Sequence, residues 1–372
     1  MINLLALVSY PFLPARFGGQ KAIAVFYRHL ATKVNLVCVT TQKNDPNEAK
    51  GYSLLNILSN SPLRYINLFY FFRIKKIIRE KQITHLLIEH PYYGWLGILL
   101  QKYAGVQLIV RSHNIEGQRW KTLGKWWWKW LWRYERKVHR AAAFNFFIQE
   151  ADMAYAINQF GLQPNRCIVV TYGTEIAAPP SAAEKAAARE VISQRHSIPA
   201  GNTILLFNGA FDYFPNLDGL QKIISYIHPL LQQQSSFKYS IIICGRGIPE
   251  TMLQQSPAGI IMAGYVEDIS LYFKGAGIFI NPVTEGGGIK TKLVEALGYD
   301  MDAVSTASGA IGVPPALCGN KLNVVADNDW AAFAKAITHA AANTSSISPA
   351  FFAHFNWNSI VDKAVVFISA TT

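Results

Sequence analysis

The chain has 372 residues, of which 51% are hydrophobic, so it is long enough and apolar enough to form two domains with buried cores. Lysine and arginine total 35 against 23 acidic residues, and the resulting net charge of +12 favours anionic partners such as phosphates, lipid headgroups or nucleic acid. No apolar run reaches the roughly 20 residues of a membrane-spanning helix, which excludes that class of protein.

The cysteines and the N-terminal residues narrow the class further. Cys38, Cys167, Cys244 and Cys318 lie far apart in the sequence, so they predict buried thiols in a reducing compartment and no metal site. Residues 1–14 are apolar but carry no basic leader and no small-residue cleavage site. We therefore expect a first strand there and not a signal peptide.

A strand, a glycine loop and a helix are predicted at the start of the chain. Residues 3–9 form a continuous apolar run, a loop with Gly18 and Gly19 follows, and the pattern from Gln20 is helical. In a parallel sheet, this arrangement places a ligand at the carboxyl end of the strand. The glycines do not form a GxGxxG pattern, so no dinucleotide fingerprint is predicted.

Strand-like runs then alternate with helical patterns, which predicts a doubly wound parallel sheet. The runs are residues 34–40, 84–89, 106–110 and 143–148. Polar residues follow two of these strands, namely Glu89 with His90, and residues 111–116 with His113 among them. His113 is a candidate catalytic or substrate-binding group, and the alternative is a hydrogen-bonded structural histidine.

Tryptophans and cations interleave between Arg119 and Arg140, and a second basic and aromatic stretch covers Tyr65–Lys81. Indoles and cations on one helix predict a peripheral contact with an anionic membrane surface. The alternative is a helix that covers the sheet with its aromatic residues inward. We find no helix-turn-helix, zinc or RNA-recognition signature, so nucleic acid is not expected as a partner.

A change in composition at residues 177–201 indicates a domain boundary, because this segment is rich in alanine, proline and polar residues. After it the alternation restarts. The strand-like runs are residues 203–208, 239–244, 259–263, 277–281 and 322–326. The predicted fold class is therefore α/β, with two doubly wound parallel-sheet (Rossmann-like) domains and a ligand in the cleft between them.

The most informative stretch is residues 281–297. A short apolar strand precedes three consecutive glycines, and an amphipathic helix is predicted from Lys290. Backbone amides at a helix start and the cations Lys290 and Lys292 suit phosphate groups, and the Glu295 carboxylate suits hydroxyl groups. The stretch thus predicts a site for a phosphorylated sugar or nucleotide, and the alternative is a glycine turn before an ordinary helix.

Several short motifs, in order along most of the chain, resemble those of the GT-B glycosyltransferases, and more closely the retaining family 4. The matching pieces are Phe17–Gly19, Arg111–Glu116, Tyr134–Arg136, Tyr172–Glu175, Phe207–Gly209, Asp212–Asn216, Cys244–Gly247, Gly264–Val266 and the stretch 281–297. The resemblance implies transfer of a sugar from a nucleotide-diphospho-sugar to a hydroxyl group, with retention at the anomeric carbon.

The resemblance also implies roles for individual residues. His113 matches the active-site histidine near the donor sugar, and Glu285 is a second catalytic candidate. Glu295 matches the glutamate that binds the ribose hydroxyls. The donor-binding set implied in this way is Gly18, Gly19, Gly209, Arg246, Tyr265, Val266, Gly287, Gly288, Ile289, Lys290, Lys292 and Glu295. No metal and no cofactor are implied, because the nucleotide-diphospho-sugar is a substrate and lysines and amides stabilise its leaving group.

The family architecture implies an acceptor-side domain at residues 1–175 and a donor-binding domain at residues 176–356. A helix at about 357–372 is expected to pack back on the first domain. The expected function is the synthesis of a surface polysaccharide or glycoconjugate from a glycan or lipid-linked acceptor. The expected location is cytoplasmic, at the inner face of the membrane.

Three departures from the family pattern leave alternatives open. Glu285 and Glu295 are further apart than the family's paired glutamates, and Gly287 stands at the first glutamate's position. Residues 211–214 replace an expected arginine and lysine, and residues 299–302 replace a small proline-containing turn. One alternative is a GT-B sugar-nucleotide epimerase, with Glu89, Glu116 or Glu285 as acid and base. The other is a non-catalytic glycan- or membrane-binding protein with a decayed donor site.

Overall fold

The computed structural model describes residues 2–15, 18–286 and 288–370, which divide into two compact units. The first unit takes in the chain up to Gly173 and again from Trp357, and the second runs from Thr174 to Asn356. Both are built on parallel sheets whose central strands are almost entirely buried, as expected when helices cover both faces of a sheet. The predicted α/β class with two parallel-sheet domains is confirmed.

The first unit contains a seven-stranded sheet in the order β3-β2-β1-β4-β5-β6-β7, with every pair parallel. Its strands are β1 Asn3–Leu7, β2 Asn35–Thr41, β3 Ser53–Leu58, β4 His85–Glu89, β5 Gln107–Ser112, β6 Phe144–Phe147 and β7 Cys167–Val169. Its helices are α1 Gly18–Leu30, α2 Phe69–Glu80, α3 Gly94–Ala104, α4 Glu116–Thr122, α5 Trp128–Ala141 and α6 Glu150–Tyr155, with the last helix of the chain, given below.

The second unit contains a six-stranded sheet in the order β10-β9-β8-β11-β12-β13, again fully parallel. Its strands are β8 Thr203–Asn208, β9 Tyr239–Cys244, β10 Ile260–Gly264, β11 Ile278–Asn281, β12 Asp302–Thr306 and β13 Leu322–Val325. Its helices are α7 Ala182–Arg195, α8 Phe214–Lys222, α9 His228–Gln232, α10 Glu250–Gln254, α11 Ile269–Gly275, α12 Thr291–Gly298, α13 Trp330–Ala340 and α14 Pro349–Phe355. The final helix, α15 Trp357–Ser369, belongs to the first unit.

Helices α2, α3 and α5 pack on one face of the first sheet. Their buried apolar residues join those of the central strands in one core cluster, to which α2 contributes Tyr70, Ile74 and Ile78. Helix α15 packs against α1, where the Trp357 ring lies 6.3 Å from the Phe26 ring. The sheet is therefore covered by two separate helical layers.

The segment between Arg119 and Arg140, interpreted from the sequence as one helix, is two helices. Helix α4 ends at Thr122 and α5 begins at Trp128. Gly124 between them has φ +66°, a left-handed conformation that no continuous right-handed helix contains and that glycine adopts without strain.

Candidate functional site

The glycine loop of the second unit joins β11 to α12. Gly286 and Gly288 have φ values of +84° and +75°, conformations that favour glycine. A β-carbon at Gly286 would lie 2.9 Å from the hydroxyl oxygen of Tyr213. Gly287 lies outside the described residues. The loop therefore needs small residues both for its backbone conformation and for its contact with the start of α8.

Two lysines lie at the junction of this loop with α12. The Nζ atom of Lys290 donates to the carbonyl oxygens of Gly286, at 2.6 Å, and Gly288, at 3.1 Å. The Nζ atom of Lys292 donates to Oδ1 of Asn216 at 3.2 Å. Burial lowers the pKa of both lysines to about 8, although the Glu295 carboxylate opposes the shift at Lys292. Both ammonium groups thus donate to neutral oxygens, and the Glu295 carboxylate is a negative charge that acts on Lys292.

Asn216 connects Lys292 to the loop that follows β8. Its Nδ2 atom donates to the carbonyl oxygen of Ala210 at 2.8 Å, while its Oδ1 accepts from Lys292. A β-carbon at Gly209 would lie 3.0 Å from the Nζ atom of Lys292. The structure thus brings Gly209, Gly288, Lys290 and Lys292 together at the carboxyl ends of β8 and β11, where ligands of parallel sheets bind.

The backbone of Gly209 is packed against Gly245, the residue after β9. Gly245 has φ +148°, and a β-carbon there would lie only 1.7 Å from the carbonyl oxygen of Gly209. We expect Gly245→Ala to lower the free energy of unfolding by about 2–3 kcal/mol in urea titrations, because strain and overlap add. Gly277→Ala is the matched control, since its β-carbon would meet no atom closer than 3.7 Å. Equal losses in the two variants would contradict this account.

Three donor-site candidates of the second unit, Arg246, Tyr265 and Val266, lie away from the lysines in sequence. Nη2 of Arg246 lies 3.3 Å from Oδ2 of Asp212, so the unexpected acidic residue faces the arginine. This pair is exposed and contributes little to stability. The Tyr265 ring is exposed, and Val266 is half-buried.

Three further candidates surround the lysines in sequence. Glu285 is exposed in the loop, whereas Ile289 and Glu295 are half-buried. Glu295 lies on α12, one turn beyond Lys292 and close enough to raise its pKa. Of the two acidic candidates, Glu295 is therefore the one that shares the electrostatic environment of the lysines.

His113 of the first unit belongs to a buried network around Glu89. One carboxylate oxygen of Glu89 accepts from Nη1 of Arg111 at 3.1 Å and from the hydroxyl of Tyr27 at 2.9 Å, and the other contacts Nε2 of His113 at 2.7 Å. Burial raises the pKa of Glu89, but Arg111 and His113 outweigh it and hold that pKa at about 2. Burial and then His90 lower the pKa of His113 to about 4. His113 is therefore neutral at pH 7, and its Nε2 carries the proton that Glu89 accepts.

A second histidine–glutamate pair, His90 with Glu116, lies next to the pair formed by His113 and Glu89. Nδ1 of His90 lies 3.2 Å from Oε1 of Glu116, and the His90 ring stacks on that of His113 with centroids 4.5 Å apart. The hydroxyl of Tyr10 lies 3.2 Å from Nε2 of His90, and that of Tyr92 donates to Glu116 at 2.7 Å. His90 has φ +62°, a strained conformation that neighbouring contacts must maintain. Strained backbone of this kind is concentrated at functional sites.

Glu135, the central residue of the Tyr134–Arg136 motif, has a structural role. Its carboxylate oxygens accept the backbone N–H groups of Glu116 and Gly117, both at 2.9 Å, and so cap α4 from the neighbouring α5. Burial raises the pKa of Glu135 to about 8, and the two N–H donors oppose this shift. Glu135 thus positions Glu116 within the network.

Gly18 and Gly19 lie at the start of α1, and a β-carbon at Gly19 would meet nothing within 4 Å. They belong to the first unit, like His113, whereas Glu285 belongs to the second. Sequence reasoning assigned no role to Asn216, Tyr10 or Tyr27. Only Asn216 lies in a motif that the family resemblance had already indicated.

Two family models match the chain. The one described as glycosyltransferase family 4 matches residues 18–177, and the one described as glycosyl transferases group 1 matches residues 202–343. Together the two models cover most of the chain, which is a GT-B glycosyltransferase-like protein of the family 4 type. The family indicated by the sequence motifs is therefore confirmed.

Solved structures of glycosyltransferases share the fold of this family 4 chain. Sucrose-phosphate synthase from Thermosynechococcus elongatus is 16% identical, with a TM-score of 0.71 over 99% of both chains. HepE from Anabaena in complex with UDP is 12% identical, with a TM-score of 0.72 over 99% of this chain and 100% of its own. The lipopolysaccharide outer core galactosyltransferase WaaB, also 12% identical, has a TM-score of 0.69 over 99% and 100%. At these identities the likeness shows the fold, which is GT-B.

One curated relative is similar over part of its length. An uncharacterized 44.6 kDa protein in the cps region of Klebsiella pneumoniae is 27% identical over 165 residues, which are 42% of this chain and 42% of that protein.

Among residues 2–15, 18–286 and 288–370, no helix is long and apolar enough to cross a membrane. In the same part of the chain, no group of three histidine, cysteine or acidic residues is arranged to hold a metal ion.

Proposed function

We propose that this family 4 chain transfers a sugar from a nucleotide-diphospho-sugar to a glycan or lipid-linked acceptor, with retention at the anomeric carbon. The observation that carries the proposal is the pair of half-buried lysines, Lys290 and Lys292, beside the glycine loop and Gly209. Solved relatives include HepE in complex with UDP-glucose, which supports a donor of this chemical class.

The chemistry asks for stabilisation of the diphosphate as negative charge grows on the leaving group. The ammonium groups of Lys290 and Lys292 and the first N–H groups of α12 supply positive charge in fixed positions. We propose that no metal ion is required, because these groups act on the same oxygens that a metal would bind. Glu295 would accept hydrogen bonds from the ribose hydroxyls.

The proposed setting is the synthesis of a surface polysaccharide at the cytoplasmic face of a membrane. Two relatives support it: one is a lipopolysaccharide outer core galactosyltransferase, and the other is named for the cps region of its organism. A lipid-linked or growing glycan would then be the acceptor.

Product analysis tests the reaction. The protein is incubated with nucleotide-sugars, with and without lipid-linked or glycan acceptors, and the products are examined by NMR. The proposal expects the nucleoside diphosphate and a glycoside with the donor's anomeric configuration, both only when an acceptor is present. A changed sugar nucleotide in the absence of acceptor would indicate the epimerase instead. Glu89 and Glu116 do not favour that alternative, since their partners hold both pKa values at about 2 and leave no proton to donate at pH 7.

We expect Glu295→Gln to weaken donor binding by about 1.5–3 kcal/mol, the range for a hydrogen bond to a charged group. Isothermal titration calorimetry compares the nucleoside diphosphate with pyrophosphate, which has no ribose. Pyrophosphate should bind the wild type and Glu295→Gln equally, whereas the nucleoside diphosphate should bind the variant more weakly. Glu267→Gln is the control, because Glu267 is an exposed carboxylate of the same unit. Unchanged affinity for the nucleotide would contradict the ribose role.

We expect His113→Ala to lower kcat on the order of 10–100-fold while donor affinity changes less than about threefold, because a preorganised polar group acts mainly on the transition state. His113→Asn keeps a group that can donate to Glu89, so it separates loss of the ring from loss of the network. Steady-state kinetics together with donor titration measure the two effects. A kcat that is unchanged in both variants would remove His113 from the site.

A further inference from the structure

Two exposed aromatic surfaces lie in the helical layer formed by α2, α3 and α5. Trp126, just before α5, is 83% exposed, and Trp130, on its first turn, is 68% exposed. Phe69 is 80% exposed and Phe72 is 68% exposed, on the first turn of α2. Large apolar side chains grouped on a surface mark a site of interaction and are uncommon on a protein that has none.

The aromatic residues of α5 continue into a basic stripe. Trp130, Arg133, Lys137 and Arg140 recur three or four residues apart, which places them on one side of α5, and Trp126 lies in the turn just before the helix. The opposite side packs on the core through Val138 and His139. A groove of about 400 Å³ is lined by the cations of this stripe and by Arg136. The exposed tryptophans therefore lie at the N-terminal end of the stripe, and the cations lie towards its C-terminal end.

Helix α2 repeats the same order. Its exposed residues Phe69 and Phe72 are followed by Lys76 and Arg79, while its opposite side is buried. Just before the helix, Leu63, Ile66 and Leu68 are also exposed. A groove of about 490 Å³ between α2 and α3 is lined by Phe72, three cations and Tyr103.

Cations predominate on these surfaces, and the acidic residue of α2, Glu80 at its C-terminal end, lies 3.7 Å from Lys76. No acidic residue occurs between Ala49 and Arg79, and between Gly117 and Gln149 the one acidic residue is Glu135, which is buried. Because α2, α3 and α5 cover the same face of the sheet, their outward sides belong to one surface of the unit. This surface combines apolar side chains that suit the boundary of a bilayer with cations that attract anionic headgroups.

We propose that the outward sides of α2 and α5 together form a docking surface for an anionic lipid bilayer, with the first turn of α2 as a second insertion point beside the tryptophans of α5. Phe69, Phe72, Trp126 and Trp130 enter the headgroup region, and the cations that follow bind lipid phosphates. The proposal deepens the proposed function, because it names the surface that brings the enzyme to a lipid-linked acceptor.

Vesicle flotation tests the proposal with phosphatidylcholine vesicles and with vesicles containing about one third phosphatidylglycerol. The full chain should bind the anionic vesicles and lose binding as salt is raised, since each cation near the surface contributes about fivefold to partitioning. Arg133→Gln with Lys137→Gln should reduce partitioning by about 25-fold. The control, Lys238→Gln with Lys335→Gln, makes the same charge change on exposed lysines of the second unit.

The insertion point on α2 is tested by Phe69→Ser with Phe72→Ser, which should reduce partitioning at least tenfold. Its control is Val366→Ser, an exposed apolar residue of α15 in the layer that packs on α1. Equal binding to neutral and anionic vesicles would overturn the proposal. So would wild-type binding of the variant that carries both Phe69→Ser and Phe72→Ser. Preferential binding of the surface to RNA would also overturn it.

Donor binding by the same variants separates the two proposals. The surface variants should keep the wild-type nucleotide affinity and melting temperature, which also shows that they are folded. If nucleotides bind but vesicles do not, the docking surface fails alone. If vesicles bind but no nucleotide does, the proposed function fails and the docking surface stands.

Discussion

Replacing Glu89 with alanine is expected to lower the free energy of unfolding by about 3–5 kcal/mol at pH 7, because it leaves a buried guanidinium without its counter-charge. Arg111 is fully buried, stacks on Phe26 at 4.1 Å, and has one described hydrogen bond, to Glu89. Among the residues that the structure describes, none accepts a hydrogen bond from its Nε or Nη2 atoms. Because Arg111 is fully buried, water cannot compensate the lost carboxylate without opening the core.

The pH dependence of this loss identifies its cause. The folded-state pKa of Glu89, about 2, lies below the ordinary value of 4.5, so its stabilisation is present above pH 4.5 and disappears as the pH falls towards 2. Urea titrations of Glu89→Ala and wild type should therefore converge between pH 4.5 and pH 2. Glu267→Ala, at an exposed position, should change stability by less than about 0.5 kcal/mol at every pH. A small loss at pH 7, or a loss that does not depend on pH, would contradict the ion-pair account.

Lys292→Ala is expected to weaken binding of a nucleoside diphosphate by about 100-fold or more, because it removes a full charge from a half-buried position beside Gly209. The pKa of Lys292 in the free protein is about 8, and a bound diphosphate would raise it. Binding at pH 8 should therefore take up protons, and affinity should fall as the pH rises above 8. The variant should lose part of that proton uptake.

Titration calorimetry in buffers of different ionisation enthalpy measures both the affinity and the proton uptake. Lys185→Ala is the matched control, since Lys185 is a half-buried lysine of the same unit that pairs with Asp300 at 2.6 Å. It should lower stability but leave nucleotide affinity unchanged. Wild-type affinity in Lys292→Ala would show that the phosphates bind elsewhere.

The fold was predictable because the strands of a buried parallel sheet have continuous runs of apolar residues in the sequence. The strands that the pattern missed are those without such runs. Half-buried β3 contains Asn56 among its apolar residues. Strand β12 begins with Asp302, which is buried because Lys321 lies 3.0 Å from its carboxylate. Ion pairs between residues that are distant in the sequence leave no local signal in it.

In the candidate site, too, residues that are adjacent in the sequence were predictable, and contacts between distant residues were not. The glycine loop, Lys290 and Lys292 were predictable, since they are adjacent in the sequence. Asn216 is 76 positions from the lysine that it contacts, and Tyr27 is 62 positions from Glu89, so only the fold brings these partners together. His113 was identified from its place after β5 and from the family resemblance, whereas its pairing with Glu89 required the structure.

The most direct test of the central claim is a thermal-shift panel of nucleoside diphosphates and nucleotide-sugars, each with and without EDTA. A ligand that binds the native state at about 100 times its Kd adds about 2.7 kcal/mol of stability, enough to raise the Tm by several degrees. The account predicts that nucleotides of one base raise the Tm, that EDTA leaves the shift unchanged, and that Lys292→Ala abolishes it. No shift with any nucleotide or nucleotide-sugar would contradict the donor site and favour a family member that has lost catalysis.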